Sequence, residues 1–331
     1  MFDPMDRPSG RKPTRRKRRF PLFAVLLAAL LIAAGILLAL FLPKSKPVSA
    51  IVPEPTPEMG PALPAPIPGE LCVYVLDVGQ GNAALLVSPS GETMLIDSGD
   101  AIYANRVSTF IRSLGVDSLD LVVATHPHAD HVGGMRRLIE EFGAEEYVMP
   151  EVGFDDAAQQ PVQELLRAKA IRTRIVWSGD TLDWDPDCPI TVLSPVLGCE
   201  YSQTDANDSS LILRVEFNGT SILFTGDATV HAEQLSMYHN ERALFNADVL
   251  IVPHHGSTTS SSYGFLETVG AEIAIVSVGA GNSYGHPDFD ILTRLANTSD
   301  YIYRTDLFGS IAVFMDGSAV RIAAEKRPDN P

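Results

Sequence analysis

Different hydrophobic patterns succeed one another along the chain. Phe20 to Leu42 is a run of 23 residues without a charge. As a helix it is long enough to cross the roughly 30 Å hydrocarbon core of a bilayer. Pro43 to Gly69 has no period and carries Pro53, Pro55, Pro57, Pro61, Pro64, Pro66 and Pro68, which favours an extended, semi-rigid spacer. From Leu71 onward short apolar runs alternate with amphipathic stretches. Leu71–Leu76, Ala83–Val87 and Thr93–Ile96 read as strands, and Ile102–Leu114 as an amphipathic helix. Leu119–Ala124 is continuously apolar except at Asp120 and reads as a buried strand, followed by a helix over Met135–Phe142. A strand near Tyr147–Met149, a helix near Pro161–Ala170 and a strand near Thr173–Trp177 close the first half.

The second half repeats the style. A short strand over Ile190–Leu193 precedes Ser209–Phe217 and Ser221–Phe224, which form a hairpin about Asn218-Gly219, a strong turn signal. A helix near Val230–Tyr238, the strand Val249–Val252, a further helix and the strand Ile273–Val278 come next. A helix near Phe289–Ala296 and strands near Tyr301–Tyr303, Ser310–Phe314 and Val320–Ala323 complete the series. Strands mixed with helices, hairpins included, predict an α/β (α+β) body of mixed sheets covered by helices.

Charge divides the chain. Up to Lys46 there are ten Lys/Arg and two Asp; beyond it 15 Lys/Arg face 39 Asp/Glu. The basic cluster from Arg11 to Arg19 lies wholly on one side of the apolar run, which predicts that this end is cytoplasmic. The expected organisation is a basic cytoplasmic tail (1–19), a transmembrane helix (20–42), a linker (43–69), an extracytoplasmic domain (70–325) and a short tail (326–331). Cleavage near Val48-Ser49-Ala50 and secretion is the minority alternative. The acidic body offers no broad electrostatic adhesion to nucleic acid or anionic lipid. The three cysteines, Cys72, Cys188 and Cys199, are not a disulfide framework. Cys188 with Cys199 is one pairing open to an extracytoplasmic domain; two buried thiols are the other reading.

The chemistry gathers in the loops. Thr125 to Gly134 places His126, His128, Asp130 and His131 within six residues, and Pro127 with Gly133-Gly134 puts them on a loop. Imidazoles and a carboxylate suit Zn²⁺, Mn²⁺ or Fe²⁺. Six of the eight histidines fall in three short clusters at predicted strand ends: this loop, His254-His255, and His286 between Gly285 and Pro287. Asp227 also follows a strand. His231 and His239 read as surface residues of a helix. The Asp77–Asn82 turn either cradles an anion or simply supports the site.

These motifs resemble the metallo-β-lactamase superfamily, whose signature is His-x-His-x-Asp-His. More narrowly the chain is similar to the metallo-β-lactamase domain of ComEC-type DNA-internalisation competence proteins. The similarity rests on Asp77-Val78-Gly79-Gln80-Gly81, Asn207-Asp208-Ser209-Ser210, Phe224-Thr225-Gly226-Asp227, Val252-Pro253-His254-His255-Gly256-Ser257 and Tyr284-Gly285-His286-Pro287. The resemblance implies an αββα sandwich of two mixed sheets with two divalent metal ions, zinc or manganese, at one edge. By it His126 and His128 hold the first metal, Asp130 and His131 the second, and Asp227 bridges. His255 or His254 would lie at the second site or act on the leaving group, with His286 another late ligand. The superfamily's usual third-motif histidine is missing; Asp208 is the nearest substitute in order, and Asn207 a neutral alternative. Asn82 stands where the competence branch usually has an acid. That branch also carries a polytopic channel region, whereas this chain has one predicted span.

The function expected is a membrane-anchored, metal-dependent hydrolase, a phosphodiesterase or nuclease acting on DNA. Asp130, His255 and His254 would be catalytic, with Ser257, Thr258 or Thr259 hydrogen-bonding a phosphate oxygen. The alternatives are a hydrolase of a small ester, lactam or lipid phosphodiester, and a tethered binding protein with a degenerate site.

Overall fold

The computed structural model describes residues 63–151 and 157–326. The predicted membrane span 20–42 and the basic tail lie outside the described residues; among those described, no helix is long and apolar enough to cross a membrane.

The strands are apolar on both faces because both faces are covered. In β1 (Leu71–Val75) all five residues are buried. Val73 and Val75 enter a core shared with the other sheet, while Cys72 and Tyr74 enter a core capped by helices. The period of two therefore sorts side chains between two cores instead of between core and water. An eight-stranded sheet runs β15 (Val320–Ala324), β14 (Ile311–Met315), β1, β2 (Ala83–Val87), β3 (Thr93–Ser98), β4 (Leu121–Val123), β5 (Glu146–Met149), β6 (Arg172–Ile175), and a seven-stranded sheet runs β13 (Tyr301–Arg304), β12 (Ile273–Val276), β11 (Val249–Ile251), β10 (Thr220–Phe224), β9 (Ile212–Phe217), β8 (Cys188–Ser194), β7 (Thr181–Asp185). Both are mixed: β2 (Ala83–Val87) pairs antiparallel with β3 (Thr93–Ser98), whereas β3 pairs parallel with β4 (Leu121–Val123). In the second sheet β10 (Thr220–Phe224), β11 (Val249–Ile251) and β12 (Ile273–Val276) are parallel neighbours.

Helices α1 (Ala104–Ser113), α3 (Met135–Phe142) and α4 (Gln160–Lys169) bury Val107, Ile111, Leu138, Ile139 and Leu166 against the first sheet's outer face. Helices α5 (Val230–His239), α6 (Tyr263–Val269) and α7 (Phe289–Thr298) bury Ala232, Phe265, Leu266, Ile291 and Leu295 against the second. Helix, sheet, sheet, helix is the expected αββα order. The Asn218-Gly219 hairpin forms between β9 (Ile212–Phe217) and β10, with φ of 46° and 93° at its two turn residues, the pair of positive values that a type I′ turn requires.

Three details differ from the sequence reading. A strand over Thr181–Asp185 (β7) was not expected; its alternation is polar because it is the outer strand of its sheet. The end of the proline-rich stretch packs instead of only spacing: Leu63 and Ile67 lie against the core under α1, and the Tyr74 hydroxyl donates to the Pro64 carbonyl at 2.9 Å. Cys188 and Cys199 are both free, the first buried and the second half-buried, so the pairing reading is not realised.

Candidate metal centre

The site lies where parallel strands of both sheets end. β3 leads to Asp97, β4 to the His126–His131 segment, β10 to Asp227, β11 to His254-His255 and β12 to Ser277. The expected loop is in part helical: Ala129–Val132 (α2) forms one turn starting after His128, so Asp130 and His131 lie on a helix. Two glycines let the surrounding backbone close on this turn. Gly81 has φ of 132° and a Cβ there would meet the Asp130 carbonyl at 2.2 Å; at Gly226 (φ 48°) it would meet Thr125 at 2.7 Å. The first approach makes a bond, the Asn82 amide donating to the Asp130 carbonyl at 3.1 Å.

His254 and His255 occupy left-handed backbone, with φ of 52° and 54°. Neither is glycine, so each conformation costs about 1–2 kcal/mol. The reversal aims both rings into the same space as the first motif. Ring nitrogens facing outward are tied. His131 Nδ1 donates to Asp97 Oδ2 at 2.7 Å, and His255 Nδ1 donates to the Ser277 carbonyl at 2.9 Å. His254 Nδ1 pairs with Thr259 Oγ1 at 2.8 Å, and His126 Nδ1 approaches Thr125 Oγ1 at 3.2 Å. The Asp97 carboxylate and the Ser277 carbonyl only accept, so they hold the proton of His131 and His255 on Nδ1 and leave Nε2 as the inward, lone-pair nitrogen, while the threonine hydroxyls orient the other two rings.

The inward atoms fall into two groups sharing Asp227. His126 Nε2 faces His128 Nδ1 at 3.1 Å and Asp227 Oδ2 at 3.8 Å, and His254 Nε2 lies 3.6 Å from that same oxygen. On the other side His131 Nε2 and His255 Nε2 stand 3.2 and 3.6 Å from Asp227 Oδ1, and 3.9 and 3.3 Å from Asp130 Oδ2. Four ligands about 2.05 Å from one ion lie about 3.3 Å apart at tetrahedral corners. The separations in both groups bracket that value. His131 Nε2, His255 Nε2 and Asp227 Oδ1 are moreover buried without any hydrogen-bond partner. Three orphaned donor or acceptor atoms converging at one point is a costly arrangement in a folded chain, and divalent cations would relieve it. The residues present thus fit divalent metal: the ligand atoms of His126, His131 and Asp227, and those of Asp130, His131 and His255, each lie within 4.8 Å of one another, with His128 and His254 beside the first set.

Electrostatics agree. Burial lowers the affinity of His131 for a proton, but Asp227 and Asp97 on either side overcome it and hold its pKa well above the usual imidazole value. Burial also opposes a charge on Asp227, yet the His131 and His255 imidazoles hold its carboxyl well below the usual range. Burial and the neighbouring His131 keep His126 neutral. The buried carboxylates thus favour positive charge at the point where cations would bind.

Some expected residues are not brought into the cluster. Asp208 is not a ligand in this arrangement: its carboxylate accepts from the Thr229 hydroxyl, the Ser202 amide at 2.9 Å and the His231 ring at 2.9 Å. Near the first group stands His254, its Nε2 3.6 Å from Asp227 Oδ2 and 3.4 Å from the Asn207 amide nitrogen. His286 stands outside both groups, its ring 5.9 Å from that of His254. The Ser257 hydroxyl is occupied with Thr259 at 3.0 Å, and Thr258 is exposed. His231 and His239 are exposed, as expected. Asp97 was missed as a site residue. Its only signal was an acid closing the third strand, Asp97-Ser98-Gly99, and nothing local links it to His131.

Fold and donor set together are those of one superfamily of metal-binding proteins: the chain belongs to the metallo-β-lactamase superfamily, whose sequence profile matches residues 76–279. Within it the chain is similar to competence proteins. It is 30% identical over 256 residues to ComE operon protein 3 of Bacillus subtilis, covering 72% of this chain and 32% of that protein. It is 31% identical over 250 residues to competence protein ComA of Neisseria gonorrhoeae, covering 75% and 33%. Recombination protein 2 of Haemophilus influenzae is 28% identical over 261 residues, covering 77% and 30%. The chain thus spans about a third of the length of these relatives.

Proposed function

We propose that this protein is a two-metal phosphodiesterase that cleaves DNA, tethered to the outer face of a cell membrane by residues 20–42. The observation that carries the hydrolase is the pair of ligand groups sharing Asp227, with His126, His131, His254 and His255 each tied by an outward hydrogen bond. Zinc or manganese bound there would lower the pKa of water and polarise a phosphoryl oxygen. The chain's own part is positional. Asp97, Thr125, Ser277 and Thr259 hold the rings so that little reorganises during reaction. Asp130, whose side chain is 33% exposed, is the ligand-group carboxylate open to solvent and is placed to orient a water by accepting its hydrogen bond. DNA as substrate is supported by the competence proteins that the chain resembles and by the name of the third relative. The tether rests on the uncharged run and its basic flank.

The test uses the full chain loaded with Mn²⁺ or Zn²⁺ and presented with single-stranded DNA, double-stranded DNA, a simple phosphodiester, a lactam and a lipid phosphodiester. DNA hydrolysis abolished by chelator and by His131→Ala is expected. Activity confined to the lactam or the lipid would replace the substrate, and failure to take up metal would favour a binding protein. Release of the protein from membranes by deleting residues 1–42 tests the tether.

A further inference from the structure

Beside the ligand groups lies a cavity of about 440 Å³, between the Asp77–Asn82 turn and the loop Gly279–His286. Its wall presents two tyrosines, Tyr103 and Tyr284, with the neutral side chains of Gln80, Asn282 and Ser283. The charged pair there, Arg106 and Asp77, is engaged with itself at 3.4 Å. Tyr284 is 69% exposed although it is a large aromatic. Its ring lies nearly parallel to that of His286, at 23° and 5.7 Å, and His286 is 5.9 Å from His254 of the ligand group. The exposed face is therefore two rings from the bridging carboxylate.

The loop that carries this ring is built to hold it. Asn282 Oδ1 accepts from the amides of Tyr284 and His286, both at 3.1 Å, and its Nδ2 donates to the carbonyls of Gly279 and His286 at 2.9 and 2.7 Å. Across the cavity the Gly279 backbone presses on the turn so closely that a Cβ would meet the Gln80 nitrogen at 2.7 Å. An aromatic face held open this way loses little entropy when a flat group stacks on it. Beside it the Ser283 hydroxyl can donate or accept and the Gln80 amide nitrogen can donate, as the edge of a nucleobase requires, the Asn282 amide being spent on its own loop. Among the described residues no unpaired cation lines the cavity to select a phosphate.

We infer that this cavity is a nucleoside subsite, taking the base and sugar next to the scissile phosphodiester with the base stacked on Tyr284. The inference rests on the DNA reading above and sharpens it. Stacking accepts any base, so the subsite selects no sequence. Bases inside a duplex already cover each other's faces, so the subsite favours unpaired strands and frayed ends.

A probe without backbone charge, which cannot be hydrolysed as a phosphodiester, separates binding from catalysis. Binding of methylphosphonate-linked tetrathymidylate to the full chain is measured by NMR titration. Tyr284→Ala is expected to raise its Kd about 5- to 160-fold, since base–aromatic stacking is worth about 1–3 kcal/mol. Tyr284→Phe, which keeps the ring, is expected to stay within about 3-fold of wild type, a difference under about 0.7 kcal/mol. Absence of saturable binding, or equal binding by wild type and Tyr284→Ala, overturns the subsite. Hydrolysis of methyl 4-nitrophenyl phosphate by the wild-type chain reports the phosphodiesterase separately. If it is cleaved while tetrathymidylate binding ignores Tyr284, the subsite is wrong and the hydrolase stands. If no phosphodiester is cleaved but binding depends on the Tyr284 ring, the subsite stands and the hydrolase falls.

Discussion

Asp97→Asn isolates what the outward hydrogen bonds contribute. Asp97 Oδ1 accepts from the Thr125 amide at 2.8 Å, and Oδ2 accepts from both the Thr125 hydroxyl and His131 Nδ1, each at 2.7 Å. Asn tolerates the φ of 57° found here, so the backbone has little reason to move. Its amide, however, has a single acceptor oxygen. With that oxygen on the Thr125 amide, the NH₂ faces His131 Nδ1. The ring must then keep its proton on Nε2, the nitrogen that faces Asp227 and would bind metal. Turning the amide over restores the tautomer but leaves the buried Thr125 N–H opposite another donor, at a cost of about 1–3 kcal/mol. Loss of such an orienting partner typically lowers metal affinity 10- to 100-fold, about 1.4–2.7 kcal/mol. The assay is competitive titration of the metal-free chain with Zn²⁺ against a chromophoric chelator, beside thermal unfolding in EDTA to check the fold. Zinc affinity within about two-fold of wild type, a difference of about 0.4 kcal/mol, would refute the argument that Asp97 sets the His131 tautomer.

Other outcomes follow from the same geometry. Gly81→Ala puts a Cβ 2.2 Å from the Asp130 carbonyl at a φ of 132°; it should destabilise the domain by about 1–3 kcal/mol and reduce metal binding, and an unchanged melting temperature would contradict it. The buried Glu233 carboxyl is raised to about 7, burial overriding the amides of Ser261 and Ser262 that it accepts from at 2.6 and 2.9 Å. A raised pKa means that its contribution is full below about pH 4 and is lost as pH rises through 7, by up to about 3 kcal/mol. The stability difference between wild type and Glu233→Gln, from urea unfolding of metal-free protein, should therefore change between pH 5 and 8; a flat difference would show that burial does not raise this carboxyl. Because the chain beyond Lys46 carries 39 acids against 15 bases, DNA cleavage at low substrate should rise between about 10 and 100 mM salt as the Debye length shrinks from about 30 to 10 Å. A steep fall, as at a basic groove, would show that local cations dominate the encounter.

The sequence by itself determined the elements and the kind of chemistry. Buried strands such as Leu71–Val75 and the helix Met135–Phe142 are written in local hydrophobic period, and Asn218-Gly219 in backbone preference. Four ligand-type residues in six positions announce a metal because so dense a set has few other uses. What the tertiary structure decided is which distant residues complete that set. Asp208 and His254 are both plausible by order along the chain. Asp208 is taken by Thr229, Ser202 and His231, whereas a left-handed backbone turns His254 toward Asp227. Local propensity opposes that conformation, so it exists only because the packed ends of β10, β11 and β12 impose it. Asp97 was invisible for a related reason: its partner His131 is 34 residues away, and only the parallel pairing of β3 with β4 brings the carboxylate under the ring.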